Sequence, residues 1–150
     1  LVELVRQIVA DLPVPDSLNL AVVTSVDGPV RLLGDPNRLK LVIRNILRNA
    51  RDATDEDGTV SVEISRRGDD LAISVTDNGT GIEPDRLDRI FDPFVSFREQ
   101  GLGLGLSTAH RIMTEEFSGE IMVDSTPGEG TEMTMVFPAS IVQFDQQGGS

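Results

Sequence analysis

The chain has 150 residues, a formal net charge of −12 and no Cys, Trp or Tyr. That length suffices for one domain, whose core must be built from Leu, Ile, Val, Met and six Phe. The missing cysteines exclude a disulfide framework and a cysteine-based zinc site. The acidity argues against nucleic acid as a partner, because its phosphates would be repelled. No apolar run reaches the ~20 residues of a membrane-spanning helix.

The start of the chain predicts one helix and two short strands. Apolar residues recur at helical spacing over residues 1–11, and Pro13 ends that pattern. Residues 18–24 and 30–33 are predicted to be strands on either side of an Asp-Gly-Pro turn at 27–29.

A long helix is predicted to follow, with Asp35 as its N-cap, Pro36 in its first turn and its end near Thr54. One face of this helix is apolar, formed by Leu39, Val42, Ile43, Ile46, Ala50 and Ala53. Asn45 and Asn49 lie on a polar stripe that flanks this face.

Hydrophobic patterning predicts two hairpins and two helices in the rest of the chain. In order they are strands 60–65 and 71–75, helices 84–90 and 103–117, and strands 120–125 and 131–137. The polar, glycine-ended segment 143–150 is expected to be a disordered tail. This order predicts an α/β (α+β) two-layer sandwich, with one mixed, mostly antiparallel sheet and helices on one face.

Asn45 and Asn49 are four residues apart, so both side chains point to the same side of the helix. An amide oxygen is a neutral ligand for Mg²⁺, which accepts one or two protein oxygens beside waters and phosphate oxygens. Taken alone, such a pair is more often two polar residues at a solvated helix edge.

The segment 77–82, Asp-Asn-Gly-Thr-Gly-Ile, follows a predicted strand. The Asp77 carboxylate could accept a hydrogen bond from the amino group of adenine and would repel the carbonyl oxygen of guanine. An unpaired buried acceptor costs about 1–3 kcal/mol, which is enough for a preference. Gly79 and Gly81 would let the backbone approach the base and sugar. A hairpin turn is the alternative, but residues 83–85 are typical of a helix start rather than of a returning strand.

Glycine alternates with leucine over Gly101–Leu106, where the second predicted helix begins. Bare amides at a helix N-terminus suit phosphate, although the pattern is neither a P-loop nor a dinucleotide fingerprint. A flexible hinge is the alternative. Of the nearby aromatic residues, at least one of Phe91 and Phe94 is expected to be in the core. His110, the sole histidine, lies within the second predicted helix and is expected to be a surface or boundary residue rather than a catalytic group.

Together these segments predict a pocket for a purine nucleotide, and they resemble the sequence boxes of sensor histidine kinase catalytic domains. The matches are, in chain order, Asn45–Asn49 with the N box, 77–82 with the first glycine box, 89–94 with the phenylalanine box, 101–107 with the second glycine box and 119–138 with the C-terminal hairpin. The resemblance covers nearly the whole chain.

This resemblance implies the Bergerat ATP-binding fold and bound Mg-ATP. It implies Asp77 on adenine, Thr131 in the water network that supports adenine, and Asn49 with Asn45 as the magnesium ligands. The ATP-binding set that it implies comprises Asn45, Asn49, Asp77, Gly79, Gly81, Ile82, Phe94, Gly101, Leu102, Gly103, Leu104, Gly105, Leu106 and Thr131.

Such domains transfer the γ-phosphate of ATP to a histidine on a separate dimerisation domain, and a response-regulator receiver domain usually accepts it next. That histidine would lie upstream of Leu1. Residues 1–11 are therefore expected to be a connecting helix, 12–142 the catalytic domain and 143–150 the tail. We expect a cytoplasmic domain that is a monomer alone and part of a homodimer at full length.

Two departures from the family pattern keep other functions open. Asp52 stands where many members carry Lys, with Arg51 and Arg98 as candidates to replace that charge. Residues 95–100 would form an unusually short ATP lid. A module that binds nucleotide or a protein partner without transfer is therefore an alternative.

The ATPases and serine kinases of the same fold are a less favoured alternative. They typically carry Glu where this chain has Asn45, and an amide cannot act as a general base. Asn45 therefore favours phosphoryl transfer to a histidine, which is itself a good nucleophile.

Overall fold

The computed structural model describes residues 1–92 and 105–145. The helices are α1 (Val2–Ala10), α2 (Pro36–Ala53), the single turn α3 (Pro84–Leu87) and α4 (Gly105–Glu115). The strands are β1 (Asn19–Thr24), β2 (Val30–Leu32), β3 (Thr59–Arg67), β4 (Asp70–Asp77), β5 (Glu120–Thr126), β6 (Gly130–Phe137) and β7 (Val142–Phe144).

A five-stranded sheet in the order β1-β3-β4-β6-β5 forms one layer of the domain. β1 runs parallel to β3, and the other neighbours are antiparallel. β1 and β5 are the edge strands. Helices α1, α2 and α4 pack on one face of the sheet, so the predicted two-layer sandwich with a mixed, mostly antiparallel sheet is confirmed.

The core lies between this sheet and the helices. Val62 of β3 and Ile73 of β4 are fully buried on the helix-facing side, whereas Glu63 and Ser74 point to the other face. α2 begins as predicted, because the Asp35 carboxylate accepts a hydrogen bond of 2.8 Å from the Asn37 amide. The residues that α2 buries are Leu39, Val42, Ile43, Ile46, Leu47 and Ala50. Ala53, which was predicted to belong to the buried face, is only half-buried. Leu47 is buried although it was not part of the predicted face.

Strand pairing at the two ends of the chain was not predicted from the sequence. β1 and β2 do not pair with each other, since β2 forms a separate two-stranded antiparallel sheet with β7. The prediction of a tail from 143 onward is wrong for Gln143 and Phe144, which belong to β7. Phe144 packs against the core, and the Arg66 guanidinium lies 4.6 Å from its ring centroid.

The loop that follows β4 is held between α2 and the β5–β6 hairpin. The Thr80 amide donates to the Ala53 carbonyl at the end of α2, at 3.1 Å. The Thr80 carbonyl accepts from the Gly128 amide in the hairpin turn, at 2.8 Å. The loop is therefore fixed at both sides by backbone hydrogen bonds.

Glycine is required in this loop because the protein backbone approaches so closely. A Cβ at Gly79 would collide with the Ala53 carbonyl, and one at Gly81 would collide with the Thr126 carbonyl. The sequence suggested that these glycines make room for a nucleotide. In the structure, the neighbours that leave no room for a side chain are the protein's own carbonyl groups.

No helix within residues 1–92 and 105–145 is long and apolar enough to cross a lipid bilayer.

The substitution Gly81→Ala is expected to destabilise the domain more than Gly68→Ala. Both glycines have positive φ, +73° and +63°, but nothing lies within 4 Å of a Cβ at Gly68. Both variants bear the left-handed backbone cost of about 1–2 kcal/mol. Gly81→Ala adds about 1–3 kcal/mol because the new methyl group overpacks the Thr126 carbonyl. Urea denaturation measures the free energy of unfolding of both variants. Equal losses of stability would contradict the close approach of the loop to the Thr126 carbonyl.

Candidate functional site

Three polar residues lie side by side across the helix-facing side of the sheet. Asp77 of β4 is in register with Thr131 of β6, and Thr131 is in register with Ser125 of β5. Asp77 is 5% exposed and Thr131 is 6% exposed. The row lies at the end of β4 that leads into the glycine loop, and the sheet register brings Asp77 and Thr131 side by side.

The Asp77 carboxylate is held by backbone amides. Its Oδ1 atom accepts a hydrogen bond of 2.9 Å from the Gly79 amide. Burial raises the pKa of Asp77 above its ordinary value of 3.8, whereas hydrogen bonds from the amides of Gly79 and Thr131 lower it. A carboxylate has about four acceptor positions, so two amides leave capacity for a donor from outside the chain.

Ser125 completes the row and was not predicted as a site residue. Its Oγ accepts a hydrogen bond of 2.8 Å from the Ile82 amide, the last residue of the glycine loop. The same hydroxyl lies 3.0 Å from the Gly130 carbonyl and 2.8 Å from the Thr131 hydroxyl. The sequence does carry a signal for it, because Ser125 is polar at a position of β5 whose alternation with Ile121 and Val123 points it inward.

α2 brings the two asparagines to the same side of the domain. Asn45 and Asn49 are both half-buried. Gly105, the first residue of α4, is so close that a Cβ there would lie 3.9 Å from the Cβ and Cγ atoms of Asn45. Asn49 is one helical turn before Ala53, whose carbonyl holds the glycine loop. The N box therefore adjoins both the glycine loop and the start of α4.

The donor set of this region fits magnesium only in company with phosphate. Among the described residues, no group of three or more His, Asp or Glu side chains could hold a metal ion. Two neutral amide oxygens are too few for a site made of protein alone. They match the way in which Mg²⁺ takes one or two protein oxygens and completes its shell with waters and substrate phosphates.

The remaining predicted residues divide into two groups. Ile82 and Leu106 are half-buried and pack against the core. The residues that lie outside the described part of the chain are Phe94, Gly101, Leu102, Gly103 and Leu104, together with the short lid at 95–100 and Arg98.

Three further residues have clear structural partners. Phe91 stacks on His110 of α4, with ring centroids 4.8 Å apart, and both residues are half-buried. Arg51 contacts its neighbour Asp52 at 3.1 Å and donates to the Pro13 carbonyl at 2.9 Å. Arg51 is thus held against the segment that connects α1 to β1.

Comparison with known proteins assigns the domain to a class. Residues 34–141, well over half of the chain, match the profile of the family described as histidine kinase-, DNA gyrase B- and HSP90-like ATPases. The chain belongs to this family.

The curated proteins that resemble this chain include sensor histidine kinases. The chain is 40% identical over 125 residues to the sensor histidine kinase ZraS of Escherichia coli strain K12, an alignment that covers 83% of this chain. It spans only 27% of the length of that relative.

Solved structures have the same fold. A nucleotide-free catalytic domain of histidine kinase ThkA is 25% identical, with a TM-score of 0.73 and 91% of each chain covered. Full-length ShkA in complex with AMPPNP is 29% identical, with a TM-score of 0.79. The superposition covers 91% of this chain and 29% of the ShkA chain.

The raised pKa of Asp77 predicts that this carboxylate lowers the free energy of unfolding by an amount that depends on pH. The folded domain holds the Asp77 proton to a higher pH than the unfolded chain does, where the pKa is near 3.8. Its contribution to the free energy of unfolding therefore falls as pH rises from the unfolded pKa through the raised folded pKa. Asp77→Asn removes this titration, so its free energy of unfolding relative to wild type should increase from acid to neutral pH.

Urea denaturation without nucleotide, at several pH values, measures this trend. Any fixed loss from the altered amide contacts shifts all points equally and does not affect the slope. A difference between the two proteins that stays constant with pH would contradict the buried setting of the carboxylate.

Proposed function

We propose that this domain binds Mg-ATP and donates the γ-phosphate to a histidine on a separate dimerisation domain, as the catalytic part of a sensor histidine kinase. The observation that carries the proposal is the buried Asp77 carboxylate, which is hydrogen-bonded by a glycine loop that is fixed to α2 one turn from Asn49. Membership of the ATPase family and the 40% identity to a sensor histidine kinase support it. So does the likeness to a structure that holds the ATP analogue AMPPNP.

In this proposal the row on the sheet recognises the base. Asp77 accepts a hydrogen bond from the amino group of adenine, and Thr131 supports the same edge of the ring, through water. Because the carboxylate is buried, a purine with a carbonyl at that position leaves it unpaired, which costs about 1–3 kcal/mol or more. The site therefore prefers adenine to guanine.

The phosphates lie between α2 and the start of α4. The resemblance assigns the glycine-rich sequence 101–106 to the phosphates, and the N-terminal end of the α4 dipole attracts the phosphate oxygens. Asn49 and Asn45 would hold magnesium, which supplies positive charge that offsets the phosphate oxygens. Neutral ligands suit this acidic chain, because further carboxylates would repel the nucleotide.

Asn45 decides which nucleophile reacts. A histidine nitrogen from the partner domain attacks the γ-phosphorus, so a P–N bond forms, the bond between that phosphorus and the bridging oxygen breaks, and ADP leaves. The amide of Asn45 cannot take a proton from water, so hydrolysis is not promoted. The imidazole needs no such help, since its neutral nitrogen is already a nucleophile.

The partners and location follow from this reaction. The domain acts on the histidine-bearing dimerisation domain of its own longer protein, which we propose is a homodimer, and a response-regulator receiver domain accepts the phosphate next. We place the domain in the cytoplasm, where ATP is available.

Incubation with γ-labelled ATP and a histidine-bearing dimerisation domain tests the proposed reaction. We expect label on that histidine with wild-type protein, and none with Asp77→Ala, which should also lose ATP binding while it stays folded. Glu63→Ala, an exposed change on the far face of the sheet, serves as the control and should transfer normally. ATP binding without transfer would indicate a binding-only module, and phosphate release without an acceptor would indicate an ATPase.

The magnesium ligands have a test of their own. Asn49→Ala should weaken ATP binding several-fold with Mg²⁺ present and much less with EDTA, because only the metal-dependent part is lost. Calorimetry measures both conditions. Asn37→Ala, an exposed change in the first turn of the same helix, is the matched control. Equal losses with and without metal would indicate that Asn49 acts through packing.

A further inference from the structure

We propose that Ser125 is a positioning residue of the purine site, which engages the hydroxyl proton of Thr131 and so makes Thr131 a hydrogen-bond acceptor toward the base. The inference rests on the proposed function, because it concerns the place where Asp77 would hold adenine. It adds a specificity role for a side chain that need not touch the nucleotide.

Ser125 makes three contacts with one hydroxyl group. Its oxygen is 2.8 Å from the Ile82 amide nitrogen, 3.0 Å from the Gly130 carbonyl oxygen and 2.8 Å from the Thr131 hydroxyl oxygen. All three distances are in the range of good hydrogen bonds. A serine hydroxyl has one proton to donate and two lone pairs to accept with.

Only one arrangement of protons makes all three contacts hydrogen bonds. The Ile82 amide is a donor, so it uses one lone pair of the Ser125 oxygen. The Gly130 carbonyl is an acceptor, so it takes the only Ser125 proton. Ser125 can then only accept from Thr131, and the Thr131 hydroxyl must donate to it.

This arrangement fixes what Thr131 presents to a ligand. With its proton directed to Ser125, the Thr131 oxygen retains lone pairs alone. Asp77, the neighbour of Thr131 across the β4–β6 pairing, is also an acceptor when ionised. A water that bridges Asp77 and Thr131 donates both of its protons to these two acceptors, so it presents only a lone pair to the purine edge, which must supply the proton there.

Two acceptors discriminate between purines that differ at a single position. The exocyclic amino group of adenine donates protons, whereas hypoxanthine carries a carbonyl oxygen there. Without Ser125, the Thr131 hydroxyl is free to rotate and to donate its proton to that water, and a proton of the water is then available to the carbonyl oxygen of hypoxanthine. Ser125 therefore contributes to the rejection of ITP although its own hydroxyl is fully occupied by protein groups.

The sheet offers a matched control on its opposite face. Ser74 and Thr134 form a second cross-strand pair, with their hydroxyl oxygens 3.0 Å apart and in register on β4 and β6. Ser74→Ala removes the same kind of hydrogen bond from the same sheet. It leaves the Asp77–Thr131–Ser125 row unchanged.

Calorimetric affinities for Mg-ATP and Mg-ITP test the proposal in wild type, Ser125→Ala, Ser125→Thr and Ser74→Ala. We expect the ratio of ATP to ITP affinity to fall about three- to tenfold in Ser125→Ala, the worth of one hydrogen bond. Ser125→Thr, which keeps the hydroxyl, should restore the ratio, and Ser74→Ala should leave it unchanged. Adding Thr131→Val to Ser125→Ala should remove the gain in ITP binding, because no hydroxyl remains to donate.

The outcomes separate this inference from the proposed function. If wild-type protein binds neither nucleotide, the proposed function fails. If wild type prefers ATP and Ser125→Ala keeps the same ratio, Ser125 has no role in specificity. An equal loss of both affinities would assign Ser125 to the support of the loop alone and would also overturn the inference. Should Ser125→Ala not fold, Ser125→Cys, whose thiol hydrogen-bonds weakly, has the same expected and overturning results.

Discussion

The buried carboxylate of Asp77 imposes the strongest constraint on this domain. A charge taken out of water must be met by donors, and in the part of the chain that the structure describes these donors are backbone amides rather than side-chain cations. The Gly79 and Thr131 amides act in their place, and they partly offset the rise in pKa that burial causes. The setting of Asp77 therefore depends on the backbone conformation of the loop and the sheet.

Each of those two amides ties the site to a different part of the fold. The Gly79 amide reaches the carboxylate only because the loop turns back tightly between the Ala53 and Thr126 carbonyls. The Thr131 amide requires the present register of β4 and β6. Because side chains alternate along a strand, a slip of one residue would turn Asp77 toward the opposite face. Sheet register, loop conformation and base recognition thus depend on one another.

Local signals were enough to predict most of the elements and part of the site. The Asp35 cap, the apolar face of α2 and the alternation in β3 and β4 each depend on neighbours within a few residues. Pairing between distant segments could not be predicted, so the joining of β2 to β7 was missed. The same limit applies to the site. Asp77 was found from its own motif, whereas the partners of Ser125 depend on hairpin register, and the carbonyl groups that exclude a side chain from the glycine loop come from other elements.

The two borders of the main sheet are protected in different ways. β5 carries Glu120 and Asp124, and such charges discourage another strand from adding to an open border. Among residues 1–92 and 105–145, β1 has a neighbouring strand on one side only, and its six residues include no charged side chain. For this border the overall charge of −12 is the safeguard, since it keeps molecules apart. That repulsion reaches only about 10 Å at 0.1 M salt, so the colloidal stability of concentrated solutions should depend on ionic strength.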